Sequence, residues 1–311
     1  MQQIYRHSDP ALFQASAPDH APQPSGLLLL SSANRLAYEE YGNPAGEPWF
    51  YFHDSGNSRL ECAFFHAAAK ARGIRLLAVD RPGIGSSSYY RADTPVPFSI
   101  DVLELADRLG IGTFSIMSHG TGGVYSLALA TLAPKRIRQQ INLGGLPGSV
   151  LVADRKEGSW WNGIAPPVIE ALVRLRLQLS RKPSLEYCEP LLHELTSTDS
   201  KILRKPRIRQ ILELDRREAI RQGGKGVAQD IAMGFRKQDF SLKDMQVPLV
   251  IWQGRSETPS ENSETAYLSA RLPEARCFQL PFRGYYFFLQ DIDAVFARIV
   301  APSAFAGRLA A

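Results

Sequence analysis

Short apolar runs of strand length recur along this chain, each followed by a turn and then by a helical pattern. That alternation restricts the fold more than any other feature. Trp49-Phe50-Tyr51-Phe52 is a continuous apolar run, followed by Gly56, Asn57 and Ser58 and then a helical pattern from Leu60 to Ala71. Leu76-Leu77-Ala78-Val79 precedes the turn Arg81-Pro82-Gly83-Ile84-Gly85, and Ser99 to Leu109 reads as a helix with Ser99 near its N-cap. Phe114-Ser115-Ile116-Met117 ends at a glycine-bearing turn before a small-residue helix, Val124 to Leu132, and Ile141-Asn142-Leu143 is a further strand. The run from Pro248 to Trp252 resumes the series ahead of a helix near 261–271, and Cys277 to Leu280 with a helix over 287–299 closes it.

Strands joined by helices on this scale imply βαβ units and a parallel sheet covered on both faces. Leu27–Leu30 and Leu36–Tyr41 lie too close for a crossover and are expected to pair as an antiparallel hairpin. The predicted fold is therefore α/β, an eight-stranded mostly parallel sheet with helices on both faces and a helical cap inserted after strand 6. The predicted organisation is a flexible arm over 1–25, a core over 26–145 and 247–311, and a cap over 146–246. Trp160 and Trp161 fall where cap meets core, as a lid over an apolar ligand or as plain cap packing.

Composition excludes several function classes. No run of about eighteen apolar residues occurs, so no membrane-spanning helix is expected. Cys62, Cys188 and Cys277 are odd in number and widely spaced, which matches neither a zinc site nor a disulfide framework. With no apolar leader in the first 25 residues, a cytoplasmic protein without metal or cofactor is expected. Residues 151–245 hold 18 Lys and Arg against 13 Asp and Glu, the whole of the formal surplus of +5. Most of it lies in 201–225, with nine basic and three acidic residues. There Ile202, Leu203, Ile208, Ile211, Leu212 and Leu214 recur at near-helical spacing, and Glu213, Asp215 and Glu218 break up the positive charge. That pattern predicts an amphipathic helix with a solvated face rather than a nucleic-acid site, and leaves open a homodimer or an acidic protein partner docked on it.

The turn after the strand at 114–117 reads Ser118-His119-Gly120-Thr121-Gly122-Gly123, the small-x-x-x-small frame of a strand-to-helix elbow. With FHDSGNSR (52–59), VDRPGIGSS (79–87), DVLELADRLGIGTFSIMSHGTGG (101–123), VPLVIWQGRSET (247–258) and LPFRGYY (280–286), the chain resembles the α/β-hydrolase family, most closely its capped bacterial members. The resemblance places the nucleophile column on Gly120, the acid column on Glu257 and the histidine column on Tyr285. Glycine has no side chain to attack with, and a tyrosine with an ordinary pKa near 10 is a poor base at neutral pH. The oxyanion turn carries Asp54 between His53 and Ser55, where a carboxylate is expected to repel a developing anion. Glycine at the elbow is expected to relieve backbone strain and to leave room for a ligand.

A degenerate triad implies lost hydrolase chemistry. The leading expectation is a non-hydrolytic enzyme of lyase, cyclase or isomerase type, acting on a small apolar or aromatic molecule between core and cap. Asp54, His119 and Tyr285 are its candidate acid–base groups, with His53, Ser55 and Thr121 lining the turn. A pseudoenzyme that carries or senses a small molecule is the alternative, and a hydrolase with an atypical water-activating pair the third. His119 is also expected to pack beneath the elbow, and Asp80, Arg81 and Pro82 to stabilise their turn.

Overall fold

A computed structural model of the chain describes residues 25–146, 166–179, 195–236, 238, 240, 245–255 and 275–301. Among these residues one eight-stranded sheet runs β1 (Gly26–Leu29), β2 (Arg35–Gly42), β3 (Glu47–Phe52), β4 (Ile74–Val79), β5 (Phe114–His119), β6 (Ile137–Leu143), β7 (Leu249–Arg255) and β8 (Ala275–Pro281). Their spatial order is β1-β2-β4-β3-β5-β6-β7-β8. β1 pairs with β2, and β2 with β4, antiparallel, and the remaining neighbours are all parallel. The expected hairpin forms with Leu27 opposite Ala37 and Leu28 opposite Leu36.

The continuous apolar run of β3 is explained by burial on both faces. Phe50 and Phe52 point into one core with Leu77, Val79, Phe114 and Ile116, where α2 (Val96–Arg108) and α3 (Gly122–Leu132) supply Phe98, Val102, Val124 and Leu127. Trp49 and Tyr51, one residue out of phase, point into the opposite core with Leu76, Ala78 and Met117. There α1 (His66–Ala71) and α8 (Ile292–Ile299) contribute Ala68, Phe296 and Ile299. The strand period of two thus separates the two cores.

Some expected boundaries shift. Residues 59–65 form a 3₁₀ helix before α1, and a short 3₁₀ turn at 287–289 precedes α8. Ser99 is not an N-cap. The helix starts at Val96 because Pro97 suits its first turn, and the Ser99 hydroxyl donates back to the Pro95 carbonyl at 3.2 Å. The N-terminal arm, Trp160, Trp161, Cys188, Glu257 and the helix expected near 261–271 lie outside the described residues.

Between β6 and β7 come α4 (Pro166–Leu179), α5 (Ser197–Leu203), α6 (Pro206–Ala219) and α7 (Lys225–Met233). The basic stretch 201–225 is thus not one helix, since Pro206 ends α5's continuation and opens α6. Nor do all its acids dilute the outer charge. Asp215 and Glu218 are fully buried, whereas Lys201, Arg204, Lys205, Arg207 and Arg217 are exposed. Glu213 pairs with Arg209 on the outer face at 2.8 Å.

The buried acids hold these helices against the C-terminal ends of the core strands. Ser58 donates its backbone N–H and its hydroxyl to Asp215 at 2.9 and 2.6 Å. The Arg59 guanidinium bonds both Asp80 and Glu218 at 2.6 Å with no side chain exposed. Arg81 grips Asp230 of α7 through two bonds of 2.6 and 2.7 Å, and Tyr125 donates to the same carboxylate at 2.9 Å. Asp80 and Arg81 therefore do more than stabilise their own turn.

Candidate functional site

β5 ends at His119, and the chain turns sharply through Gly120 into α3. Gly120 has φ +48°, in the left-handed region that glycine enters freely. Its N–H donates to the Leu143 carbonyl at 2.8 Å, and its carbonyl accepts from Gly123 N at 3.0 Å. The space beside it is occupied. A Cβ placed there would collide with the Tyr285 hydroxyl and with Asp54 Oδ1, and would lie 2.7 Å from Asp54 Cγ. The expectation of vacated volume is corrected accordingly, because two other side chains fill the place of the missing one.

Asp54 follows β3 and is buried. Its Oδ1 accepts from the backbone N–H groups of Ser55 at 2.8 Å and Thr121 at 2.9 Å, with the Thr121 hydroxyl at 2.8 Å. Its Oδ2 accepts from the Tyr285 hydroxyl at 2.7 Å. Thr121 stands at the N-terminus of α3, so the helix dipole also favours negative charge there. The expected repulsion between Asp54 and an anion in the turn takes another form: Asp54 itself is the anion that the turn's N–H groups hold. Ser55 Oγ lies 2.6 Å from Thr121 Oγ1, which completes the ring of polar contacts. Ser118 donates to the Ile141 carbonyl at 3.2 Å and stays within the sheet.

The turn bearing Asp54 is fixed from behind. Arg81 donates to the His53 carbonyl at 2.6 Å and to the Asp54 carbonyl at 3.2 Å. His53 Nδ1 is 2.8 Å from the Asp54 carbonyl, so that nitrogen is the donor. Burial, reinforced by the Arg81 charge, pushes the His53 pKa well below the usual histidine value and keeps the ring neutral.

Tyr285 enters from the loop after β8. Asp199, in the first turn of α5, accepts from the backbone N–H groups of Tyr285 at 3.1 Å and Tyr286 at 2.8 Å. The same carboxylate closes a capping box with Thr196. Burial, then the neighbouring Asp54 charge, raises the Tyr285 pKa well above 10, so the phenol stays protonated. Its hydroxyl faces the site while its ring packs against the core.

His119 packs beneath the elbow, as expected, but with an unforeseen partner. Its Nδ1 is 2.7 Å from Glu61 Oε1, both side chains being buried. Glu61 also accepts from Tyr51 Oη at 2.8 Å, Asp54 N at 3.0 Å and Asn57 Nδ2 at 2.5 Å. The His119 ring lies 4.8 Å, centroid to centroid, from both Tyr285 and Phe288. Burial opposes its charge, yet the Glu61 carboxylate outweighs that penalty and raises its pKa above the ordinary value.

Asp54, Gly120, Thr121, Ser55, His119 and Tyr285 are thus brought together, with His53 supporting the turn. Glu61, Asp199 and Asp230 escaped sequence reading. A lone acid within the apolar stretch Leu60 to Phe65 was the one available signal for Glu61. Among the described residues no group of three or more His, Cys, Asp or Glu side chains could hold a metal ion.

The sequence profile of the Alpha/beta hydrolase family matches residues 41–298. The dihydrolipoyllysine-residue acetyltransferase component of the acetoin cleaving system of Pseudomonas putida is 26% identical over 289 residues, 91% of this chain and 70% of that protein. A proline iminopeptidase of Neisseria gonorrhoeae is 26% identical over 157 residues, 49% of this chain and 46% of the peptidase. Two similar folds are the enol-lactonase from Burkholderia xenovorans LB400 and the epoxide hydrolase CorEH. The first has a TM-score of 0.67 at 18% identity and covers 88% of this chain and 98% of its own. The second has a TM-score of 0.68 at 17% identity and covers 89% and 98%. Hydrolase names recur among these relatives and neighbours, which overturns the expectation of a non-hydrolytic lyase, cyclase or isomerase and that of a carrier without turnover.

Proposed function

The chain belongs to the alpha/beta hydrolase family, and from that premise we propose that it is a hydrolase whose reactive group is the Asp54 carboxylate. One observation carries this reading: the carboxylate stands at the place of an elbow side chain, with Oδ1 on the N–H groups of Ser55 and Thr121 and Oδ2 on the Tyr285 phenol.

The same bonds narrow the substrate. An ester carbonyl needs free N–H groups to receive its developing oxyanion, but Oδ1 of Asp54 already holds that pair. A carboxylate can instead attack a saturated carbon whose bond to oxygen is strained, as in a small epoxide. Asp54 Oδ2 bonds to that carbon, the carbon–oxygen bond breaks, and its electron pair goes to the oxygen, which takes the Tyr285 proton. The product of this half is an ester on Asp54. Water then adds at Cγ and Oδ1 bears the charge between the Ser55 and Thr121 N–H groups. The bond from Cγ to the departing oxygen breaks, that oxygen takes one proton of the water and leaves as the diol, and the other proton restores the Tyr285 phenol as Asp54 returns to a carboxylate. That one fold neighbour is named an epoxide hydrolase agrees with this choice but does not carry it.

Styrene oxide and a p-nitrophenyl ester are the probes. Diol formation is expected from the epoxide in the wild type, falling on the order of 10⁴-fold in Asp54→Asn. Rapid ester hydrolysis that survives Asp54→Asn, or no hydrolysis of either probe, overturns the reading.

A further inference from the structure

The helix α4 (Pro166–Leu179) is apolar on two opposite faces, and only one of them is covered. Ile169 and Val173, with Leu177, pack on Val227, Ala228 and Ile231 of α7 and on Ala219 at the end of α6. Val168, Leu172 and Leu175 recur at i, i+4 and i+7 on the other side, with 49%, 48% and 51% of their surfaces exposed. Ala171, also exposed, widens that stripe. No other helix among the described residues exposes more than one large apolar side chain.

The charge along the stripe has one sign. Arg174 and Arg176 are exposed and, at 3.6 residues per turn, fall on its two margins. Glu170, the only acid of α4, is largely covered, and Arg91 donates to both its oxygens at 2.8 and 2.7 Å. Residues 171–185 of the sequence hold four basic side chains and no acidic one. Arg174 also lines, with Pro167, Ala171 and Leu175, a surface cleft of about 290 Å³ at the edge of the stripe, large enough to seat a phosphate headgroup.

We propose that this outer face of α4 docks on an anionic lipid bilayer. The helix lies flat, with its stripe among the acyl chains and its arginines reaching the phosphates. A second copy of the chain fits the face less well. The stripe exposes roughly 250 Å², against about 800 Å² per partner in a stable dimer. A two-fold contact would also set arginines against arginines. Lipids close around whatever is inserted, and their headgroups supply the anions that the face lacks. No helix among the described residues is long and apolar enough to cross a membrane, so the contact is with one leaflet.

The test is co-sedimentation of the full chain with vesicles of phosphatidylcholine, alone or mixed with phosphatidylserine. The wild type is expected to bind the mixed vesicles, less so as salt is added. Leu172→Ser with Leu175→Ser is expected to weaken that binding at least about tenfold. Arg174→Glu with Arg176→Glu is expected to weaken it by at least about the same factor and to remove the preference for phosphatidylserine. All four positions are exposed, and an unchanged urea midpoint establishes that each variant is folded. A wild type that stays in the supernatant with both vesicles overturns the proposal. Equal binding by the wild type and the leucine pair, or equal binding to the two vesicles, does so as well. In sedimentation velocity, a dimer that the leucine pair abolishes, without vesicle binding, assigns the face to a second copy instead. Binding is read without turnover, so the result is independent of Asp54.

Discussion

Asp54 and Gly120 are mutually dependent: the carboxylate of the first occupies the space that any side chain on the second would need, with Cγ 2.7 Å from the position of a Cβ. A side chain on the elbow would have to displace the Asp54 carboxylate and the Tyr285 phenol from where they stand.

Gly120→Ala is expected to destabilise the protein by about 1–3 kcal/mol from the left-handed backbone alone, with the clash against Asp54 and Tyr285 added. The double variant Gly120→Ala with Asp54→Gly should recover part of the loss. Urea denaturation of the single and double variants measures the coupling, and strictly additive effects would show that the two positions do not compete.

The His119–Glu61 pair makes stability pH-dependent. The folded pKa of His119 is raised, so protonation stabilises the fold fully below the unfolded value of about 6.5, and this contribution is lost as pH rises through the folded value. The melting temperature of the wild type relative to Glu61→Gln is expected to shrink from about pH 5 to about pH 9. A difference constant across that range would contradict the pairing.

Asp199→Ala removes the acceptor for the Tyr285 and Tyr286 N–H groups and for the Thr196 cap. Stability is expected to fall by about 1–3 kcal/mol, and diol formation to fall as well because the phenol loses its register with Asp54. Asp199→Asn keeps one acceptor oxygen and should retain more of both. Equal activity in wild type and Asp199→Ala would show that Tyr285 is positioned by packing alone.

Asp230→Ala leaves the Arg81 guanidinium buried without its carboxylate partner, at an expected cost of about 3–5 kcal/mol. Glu47→Ala, which breaks the exposed pair with Arg138, is expected to cost no more than about 1 kcal/mol. Chemical denaturation of the two variants side by side checks the contrast.

The order and type of the strands were readable from sequence because burial on both faces demands unbroken apolar runs such as Trp49 to Phe52. The elbow was equally readable, since small residues must flank a tight strand-to-helix turn. Which way a charged residue points has no such local signature. Asp215 and Glu218 looked like solvated charges in a basic helix, yet they lie buried against Ser58 and Arg59, more than 150 residues away in sequence. The consequence of Gly120 was likewise hidden. Sequence alone established that the elbow carries no side chain. Only tertiary structure decided that Asp54 and Tyr285 fill its place and that Glu61 stands behind His119, because hydrogen bonds to buried carboxylates are set by backbone N–H groups and side chains that converge from separate loops.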